Sequence, residues 1–302
     1  MYDIIIVGAG PAGLTAAIYG ARAHKNVLVL EATSYGGQII TTDNIENYPA
    51  CPNISGFDFA TNIYNQAKDL GAVIKFEKVI DITSLKNYKE VITSKEIYKT
   101  KTIILATGSD NRKLGVDRED ELLGKGLSYC ATCDGNFYKK KDVAVIGGGN
   151  TALEEALYLT NLANKVYLIH RREEFKGEEI LVRKLKKRDN IEFVLNSNIT
   201  KLIGNKKLEG IEITSNDNEK RKIDVSGLFV AVGRIPENQN FSKIIDLDEN
   251  GYVIASEDCH TNIDGVFVAG DNRVKKVRQL VTAESDGAVA ALEAINYINK
   301  QM

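Results

Sequence analysis

The richest chemistry in the chain lies in Cys130-Ala131-Thr132-Cys133-Asp134. Two cysteines separated by two residues can close a disulfide within one turn of backbone and cycle between dithiol and disulfide without unfolding anything. Such a pair is a candidate electron relay. Opening a disulfide takes protons as well as electrons, and Asp134, directly after the second sulfur, is placed to supply one. A zinc site is the rival use, but it needs two further ligands at workable spacing. Cys51 and Cys259, the latter beside His260, lie far apart in the chain and form no second close pair; they read as small packing residues. A structural staple is also poorly served, because closing so short a loop removes little entropy from the unfolded chain.

A relay needs a donor, and 302 residues leave room for two domains to hold one. The composition is 43% hydrophobic and 26% charged with a net charge of -2 and no acidic or basic block, which argues against nucleic acid and acidic membranes as partners. No apolar run approaches the ~18 residues of a membrane span, and the N-terminus carries no basic export signal. The expectation is a soluble cytoplasmic protein. In that reducing compartment a Cys-x-x-Cys is more often catalytic than structural.

Asp3–Val7 is a continuous apolar, β-branched run, the pattern of a buried parallel strand. It ends in Gly8-Ala9-Gly10-Pro11-Ala12-Gly13, and Leu14–Arg22 has helical character. Strand, G-x-G-x-x-G and helix in that order form a dinucleotide fingerprint, with a pyrophosphate expected over Gly8, Gly10, Pro11, Ala12 and Gly13. The next strand, Asn26–Leu30, ends at Glu31, whose carboxylate suits a ribose diol and repels a 2'-phosphate, so this site prefers FAD or NAD to NADP. Gly36-Gly37-Gln38-Ile39 and Glu46-Asn47-Tyr48-Pro49 read as turns. An amphipathic helix is expected over Phe57–Leu70, a small antiparallel sheet over Val73–Tyr98, and a returning central strand over Thr102–Gly108. Thr107 and Gly108 at its end count among the cofactor-binding residues.

About 140 residues after the first frame a second one repeats it: Asp142–Ile146, then Gly147-Gly148-Gly149-Asn150-Thr151-Ala152, then a helix from Leu153. Gly147, Gly149, Asn150, Thr151 and Ala152 are expected to hold a second dinucleotide. The following strand, Lys165–Ile169, ends in His170-Arg171-Arg172 where the first unit has Glu31. Arginine forks suit a dianionic 2'-phosphate, which points to NADPH. The competing reading is a solvated loop in which Arg171 and Arg172 pair with Glu173 and Glu174; His170 alone reads as structural. Short strands are expected over Ile191–Ile223, and Leu228–Gly233 mirrors Ile104–Gly108. Gly270-Asp271 closes another strand and is placed to reach a ribityl or phosphate oxygen, and a final helix spans about Ala283–Ile298. The expected fold is α/β, two Rossmann-like three-layer domains, with the NADPH domain (114–240) inserted into a split FAD domain (1–113 and 241–302).

With these pieces in place the chain resembles, over nearly its whole length, the low-molecular-weight thioredoxin reductases of the class-II pyridine nucleotide-disulfide oxidoreductases. The resemblance rests on Gly8–Gly13, Cys130–Asp134, Gly147–Ala152, His170-Arg171-Arg172, and Gly270-Asp271 with Arg278-Gln279. It implies FAD contacts from Gly36, Gly37, Gln38, Asn47, Asp271, Arg278 and Gln279. It further implies that Cys133 lies against the flavin, that Asp134 is the proton donor and acceptor, that electrons pass from NADPH to a thioredoxin disulfide, and that the protein is a homodimer. The chain departs from the family at Lys176, where an arginine more often joins His170, Arg171 and Arg172 around the 2'-phosphate; a point charge weakens the preference for NADPH. Tyr129 and Asn136 also differ from the commoner residues beside the dithiol. The alternatives are NADH or ferredoxin as donor and a peroxiredoxin- or glutaredoxin-like acceptor; against ferredoxin, the nicotinamide motifs are intact. Because the dithiol directly precedes the second nucleotide frame, both ride on one lobe and must take turns at one flavin. A rigid-body swing about crossings near Leu114 and Asn240 is expected.

Overall fold

The computed structural model describes residues 1–42, 44–51 and 53–301. Strand β1 (Tyr2–Val7), helix α1 (Pro11–Arg22) and strand β2 (Val27–Glu31) follow the first predicted frame. Ile4, Ile5 and Ile6 are completely buried, as a central parallel strand with both faces covered requires. Helix α2 (Gly56–Asp69) opens on Ser55, whose side chain accepts the Asp58 N–H. Then come β3 (Val73–Phe76), β4 (Val79–Ser84), β5 (Lys89–Thr93) and β6 (Ile97–Leu105).

Of the small antiparallel sheet expected over Val73–Tyr98, the antiparallel pairing of β4, β5 and β6 forms, but within the main sheet and without β3. β3 runs parallel beside β2, and β5 lies antiparallel to the first half of β6, all within one seven-stranded sheet. The reason is the length of β6. One edge of this nine-residue strand takes β1 along most of its course, and its first half still has an edge left for the hairpin of β4 and β5.

The chain crosses over through β7 (Ser109–Asn111) and then forms α3 (Glu119–Leu122), β8 (Leu127–Ser128), α4 (Ala131–Asp134), β9 (Asp142–Gly147), α5 (Asn150–Leu159), β10 (Lys165–Ile169), α6 (Glu179–Leu185) and β11 (Ile191–Val194). Strands β12 (Ser197–Ile203), β13 (Gly210–Ser215) and β14 (Lys220–Ile223) make a separate antiparallel sheet, and β15 (Gly227–Ala231) returns to the parallel one, ordered β11-β10-β9-β15-β8. After β16 (Arg234–Pro236), strand β17 (Val266–Val268) adds to the second half of β6, and α7 (Leu280–Lys300) closes the chain. Helix α7 lies so close to α1 that a Cβ at Gly287 would stand 2.2 Å from the carbonyl oxygen of Ala12.

Two units result, Met1–Asp110 with Ile235–Met302, and Asn111–Arg234. The crossings lie three residues before 113 (113 − 110) and six before 240 (240 − 234). They are extended strands, not polar linkers, so no shift in composition marks them. Each unit has an apolar layer on both faces of its main sheet: Leu14, Val29 and Phe267 on one side and Leu28, Ile103 and Val268 on the other in the first, Leu127, Ile211 and Leu228 against Val145, Leu153 and Phe229 in the second. No helix of the described residues is long and apolar enough to cross a membrane.

Candidate active site

Cys130 and Cys133 are joined by a disulfide, with their Cα atoms 5.3 Å apart. Cys130 stands just before α4, and its sulfur accepts the Cys133 N–H at 3.2 Å. Ser128, at the end of β8, ties the neighbouring carboxyl to this turn: its hydroxyl donates to Asp134 Oδ2 at 2.6 Å and accepts the Cys130 N–H at 3.0 Å. From below, Glu155 on α5 accepts the Ala131 N–H with Oε1 at 3.2 Å. Burial pushes the Glu155 carboxyl up to about 7; the Ala131 bond and the positive charge of Arg234 oppose that rise, and Asp134 adds to it. Tyr129 donates to Glu119 at 2.7 Å, and that buried carboxylate also takes the N–H groups of Leu114 and Gly115. Burial and Glu119 together raise the Tyr129 phenol well above its ordinary value. Asn136 is exposed beside the turn. Among the described residues no group of three or more His, Cys, Asp or Glu is arranged to hold a metal ion. Cys259 is fully buried, and burial pushes its thiol up to about 12, which makes it inert as a nucleophile.

The first glycine turn has the shape of a phosphate cradle. A Cβ at Gly8 would stand 2.3 Å from the Ala106 oxygen and one at Gly13 would stand 1.9 Å from the Gly8 oxygen, whereas at Gly10 it would meet nothing within 4 Å. The backbone is drawn in tightly underneath and left open above. Helix α1 starts at Pro11 with no side-chain cap from Gly10, so its first N–H groups are available to an anion. Glu31 reaches this turn, accepting the Ala9 N–H at 2.8 Å and the Thr33 N–H at 3.0 Å. Gly36 and Gly37 both take positive φ, and Gly37 faces Gly10. Gln38 bonds to Ser109 and Asp110, and Asn47 donates to Gln279 at 3.1 Å. Gln279 caps α7. Thr107 bonds to Asn238 and Asn272, Gly108 turns at positive φ, and Arg278 stacks 4.3 Å over Tyr252 while its Nε reaches the Asp271 carbonyl. The donor set of the first unit, a helix start, a ribose-type carboxylate and side-chain amides, fits a flavin dinucleotide.

In the second unit α5 begins at Asn150, again without a side-chain cap from Gly149, and a Cβ at Gly149 would meet nothing within 4 Å. The loop after β10 folds back onto this turn: Lys176 and Gly177 donate their N–H groups to the Gly148 oxygen, and Asn150 exchanges hydrogen bonds with Glu178. Gly147, Thr151 and Ala152 complete the turn. Arg171, Arg172 and Lys176 are exposed, and neither arginine pairs with Glu173 or Glu174 among the described residues. Their charges, after burial, help hold the His170 imidazole below its usual value, so all three cations act on that ring. That disposition suits a 2'-phosphate better than the solvated-loop reading. His170 belongs to the framework: it is 7% exposed, stacks on Phe175 and bonds to the Glu174 carbonyl, so it supports the cluster from beneath and is not itself open to a ligand.

Sequence reasoning missed several supports. Asp286 on α7 is 5% exposed and accepts the Gly270 N–H, Nε and Nη2 of Arg273, and Lys275, fixing the Gly270-Asp271 turn. An acid within the otherwise apolar stripe of α7 was the available signal. Ser128 and Glu155 carried none, since neither lies within a motif.

The family profile described as pyridine nucleotide-disulphide oxidoreductase matches residues 2–287. The chain is 39% identical over 302 residues to a thioredoxin reductase of Listeria monocytogenes, covering 99% of this chain and 95% of that protein. It is 42% identical to the thioredoxin reductase of Mycoplasma genitalium, covering 97% and 94%. Among solved structures it matches the thioredoxin reductase of Streptococcus pyogenes with a TM-score of 0.95 at 36% identity, covering 99% of each chain.

Proposed function

Since the chain belongs to the pyridine nucleotide-disulphide oxidoreductase family, we propose that it is an NADPH-dependent flavoprotein that reduces the disulfide of thioredoxin through Cys130 and Cys133. The observation that carries this is the closed Cys130–Cys133 bond, with Asp134 tied to its turn through Ser128 and the whole assembly set just ahead of β9, the first strand of the second nucleotide frame.

The first unit would hold FAD at Gly8–Gly13, with Glu31 toward the ribose, Gly36, Gly37, Gln38 and Asn47 along the turn, and Asp271, Arg278 and Gln279 from the loop before α7. The second would hold NADPH at Gly147–Ala152, with Arg171, Arg172 and Lys176 on the 2'-phosphate. Bound flavin supplies a two-electron acceptor for a nicotinamide hydride and a two-electron donor to a disulfide. The protein's own residues do the rest. Asp134 holds a proton at the sulfur that leaves when the disulfide opens, and Ser128 fixes the carboxyl by its 2.6 Å bond. The resulting dithiol reduces the partner by exchange through a mixed disulfide: one Cys sulfur attacks, the partner's second sulfur leaves with a proton, and the other Cys sulfur resolves the bond. Dithiol and nicotinamide site lie on the same unit, so a rigid-body swing about the crossings at β7 and β16 is part of the proposal.

We further propose a homodimer. It is supported by a cavity of about 550 Å³ on the first unit, lined by Tyr48, Phe59, Ile63 and Val281, with Phe57 57% exposed nearby on α2. The proposed setting is the cytoplasm.

The test is NADPH oxidation by the purified yellow protein with thioredoxin, and with NADH or reduced ferredoxin as competing donors. Thioredoxin-dependent turnover that Cys133→Ser abolishes, while NADPH still bleaches the flavin, is the expected result. A Cys133→Ser protein that still reduces thioredoxin sinks the proposal.

A further inference from the structure

The mechanism leaves Glu155, a partly buried carboxyl beside the dithiol turn, unused. Glu155 projects from α5 to the α4 turn, and its Oε1 accepts the N–H of Ala131, the peptide nitrogen bonded directly to Cys130. Its second oxygen, Oε2, is buried and has no hydrogen-bond partner. A buried carboxylate oxygen without a donor is costly when ionised, whereas a carboxylic acid at the same place sheds most of that cost. A glutamine would suffice at a site that only had to accept one backbone N–H.

The neighbours tell the same story. The charges acting on Glu155 are Asp134 on α4, which disfavours a second negative charge, and Arg234 beyond β15, which favours one. Tyr138, on the turn that follows α4, is pushed up to about 12 and stays neutral. Val143, Val145, Phe229 and Leu185 belong to the apolar cluster that α5 packs into. Burial outweighs the single cation, and the carboxyl sits at about 7.

Deepening the disulfide-reductase reading on which it rests, we propose that Glu155 is a positioning residue for the relay: seated under the Cys130–Cys133 turn to which Ser128 ties Asp134, it keeps a proton at that turn for the departing sulfur. The step balances. Two electrons, from reduced flavin in turnover or from a dithiol reagent that becomes a disulfide, break the S–S bond; one sulfur leaves as a thiolate and takes the proton held at the turn. Once the bond is open, an ionised Glu155 beside Cys130 opposes formation of a thiolate there.

The test reads the sulfurs directly, without thioredoxin or nicotinamide, so it stands apart from the fate of the proposed activity. Full-length protein is reduced, and the rate of iodoacetamide alkylation at Cys130 and Cys133 is followed by mass spectrometry from pH 5.5 to 9 in wild type, Glu155→Gln and Glu155→Ala. Glutamine keeps an acceptor for the Ala131 N–H and removes the ionisation. The expected result is that Glu155→Gln alkylates up to about tenfold faster at pH 8, corresponding to about one pK unit, and at the wild-type rate at pH 6, where Glu155 already carries its proton. Glu155→Ala should show the same pH-dependent gain. Profiles of wild type and Glu155→Gln that coincide within about twofold at all pH values overturn the proposal. So does a change confined to Glu155→Ala, which would make Glu155 a structural acceptor and nothing more.

Discussion

The sharpest consequence of the second nucleotide frame concerns Arg171 and Arg172. Both guanidiniums are exposed and unpaired with the acids that follow them, and both act on the same buried imbedded imidazole, His170. A charge-assisted hydrogen bond to a phosphate contributes about 1.5–3 kcal/mol, and exposure and screening at this surface reduce that to about 1–2 kcal/mol per arginine. The double variant Arg171→Ala/Arg172→Ala should therefore lose about 2–4 kcal/mol toward NADPH, or about 30- to 1000-fold in kcat/KM. NADH has no 2'-phosphate and should change by no more than about threefold. The assay is steady-state thioredoxin-dependent oxidation of each nucleotide. Lys176→Arg adds a third fork and should raise the NADPH preference. Equal losses for NADPH and NADH would mean the loop merely shapes the site. An unchanged NADPH rate would mean that these arginines do not read the phosphate at all.

Two stability predictions follow from the supports behind the nucleotide turns. Asp286→Ala leaves Arg273, 1% exposed, without its buried partner, so unfolding by denaturant should show a loss of about 3–5 kcal/mol. Burial alone would raise the Asp286 carboxyl, but the bonds from Arg273 and Lys275 hold it below the usual value. A carboxyl depressed in the folded state stabilises above its unfolded pKa of about 3.9 and loses that contribution as pH falls through the folded value, so the difference between wild type and variant should be constant from pH 6 to 8 and shrink below about pH 4. Gly148→Ala would place a Cβ 2.1 Å from the His170 ring and should cost about 1–3 kcal/mol. Combined with His170→Ala that penalty should largely vanish, and additive losses in a double-mutant cycle would refute the contact.

What the sequence disclosed was whatever the backbone itself demands. Gly8, Gly13 and Gly147 must lack a Cβ because another main chain occupies its place, and a β-branched run such as Ile4–Ile6 announces a strand covered on both faces. The dithiol was legible because its chemistry is local. Asp286 and Glu155 were not, because each acquires its role by being buried against residues distant in the chain: Asp286 against Arg273 and Gly270, Glu155 against Ala131. That the antiparallel hairpin joins the parallel sheet was illegible for a related reason, since nothing within Val73–Tyr98 reveals that β6 is long enough to serve both the hairpin and β1.

The two nucleotide frames show how one backbone plan is given two ligand preferences. Ala9 and Gly148 hold the same position in their glycine turns, and Glu31 and His170 both directly close the second strand of their frames. In the first unit the Glu31 carboxylate bonds to the Ala9 N–H at 2.8 Å, so an acid is anchored beside the turn where a ribose diol would lie. In the second an imidazole ring replaces it, lying so close that position 148 has no room for a Cβ. A glycine in that place thus follows from the ring, and the ring follows from the need to remove the acid. With no carboxylate at the strand-end position, a 2'-phosphate there would meet the cations at 171, 172 and 176 instead of an acid. Nucleotide choice is therefore written in a pair of residues, one in the turn and one after the strand, and a lone Glu31→Arg exchange in the first frame would forfeit the Ala9 bond without creating the platform that the second frame's arginines stand on.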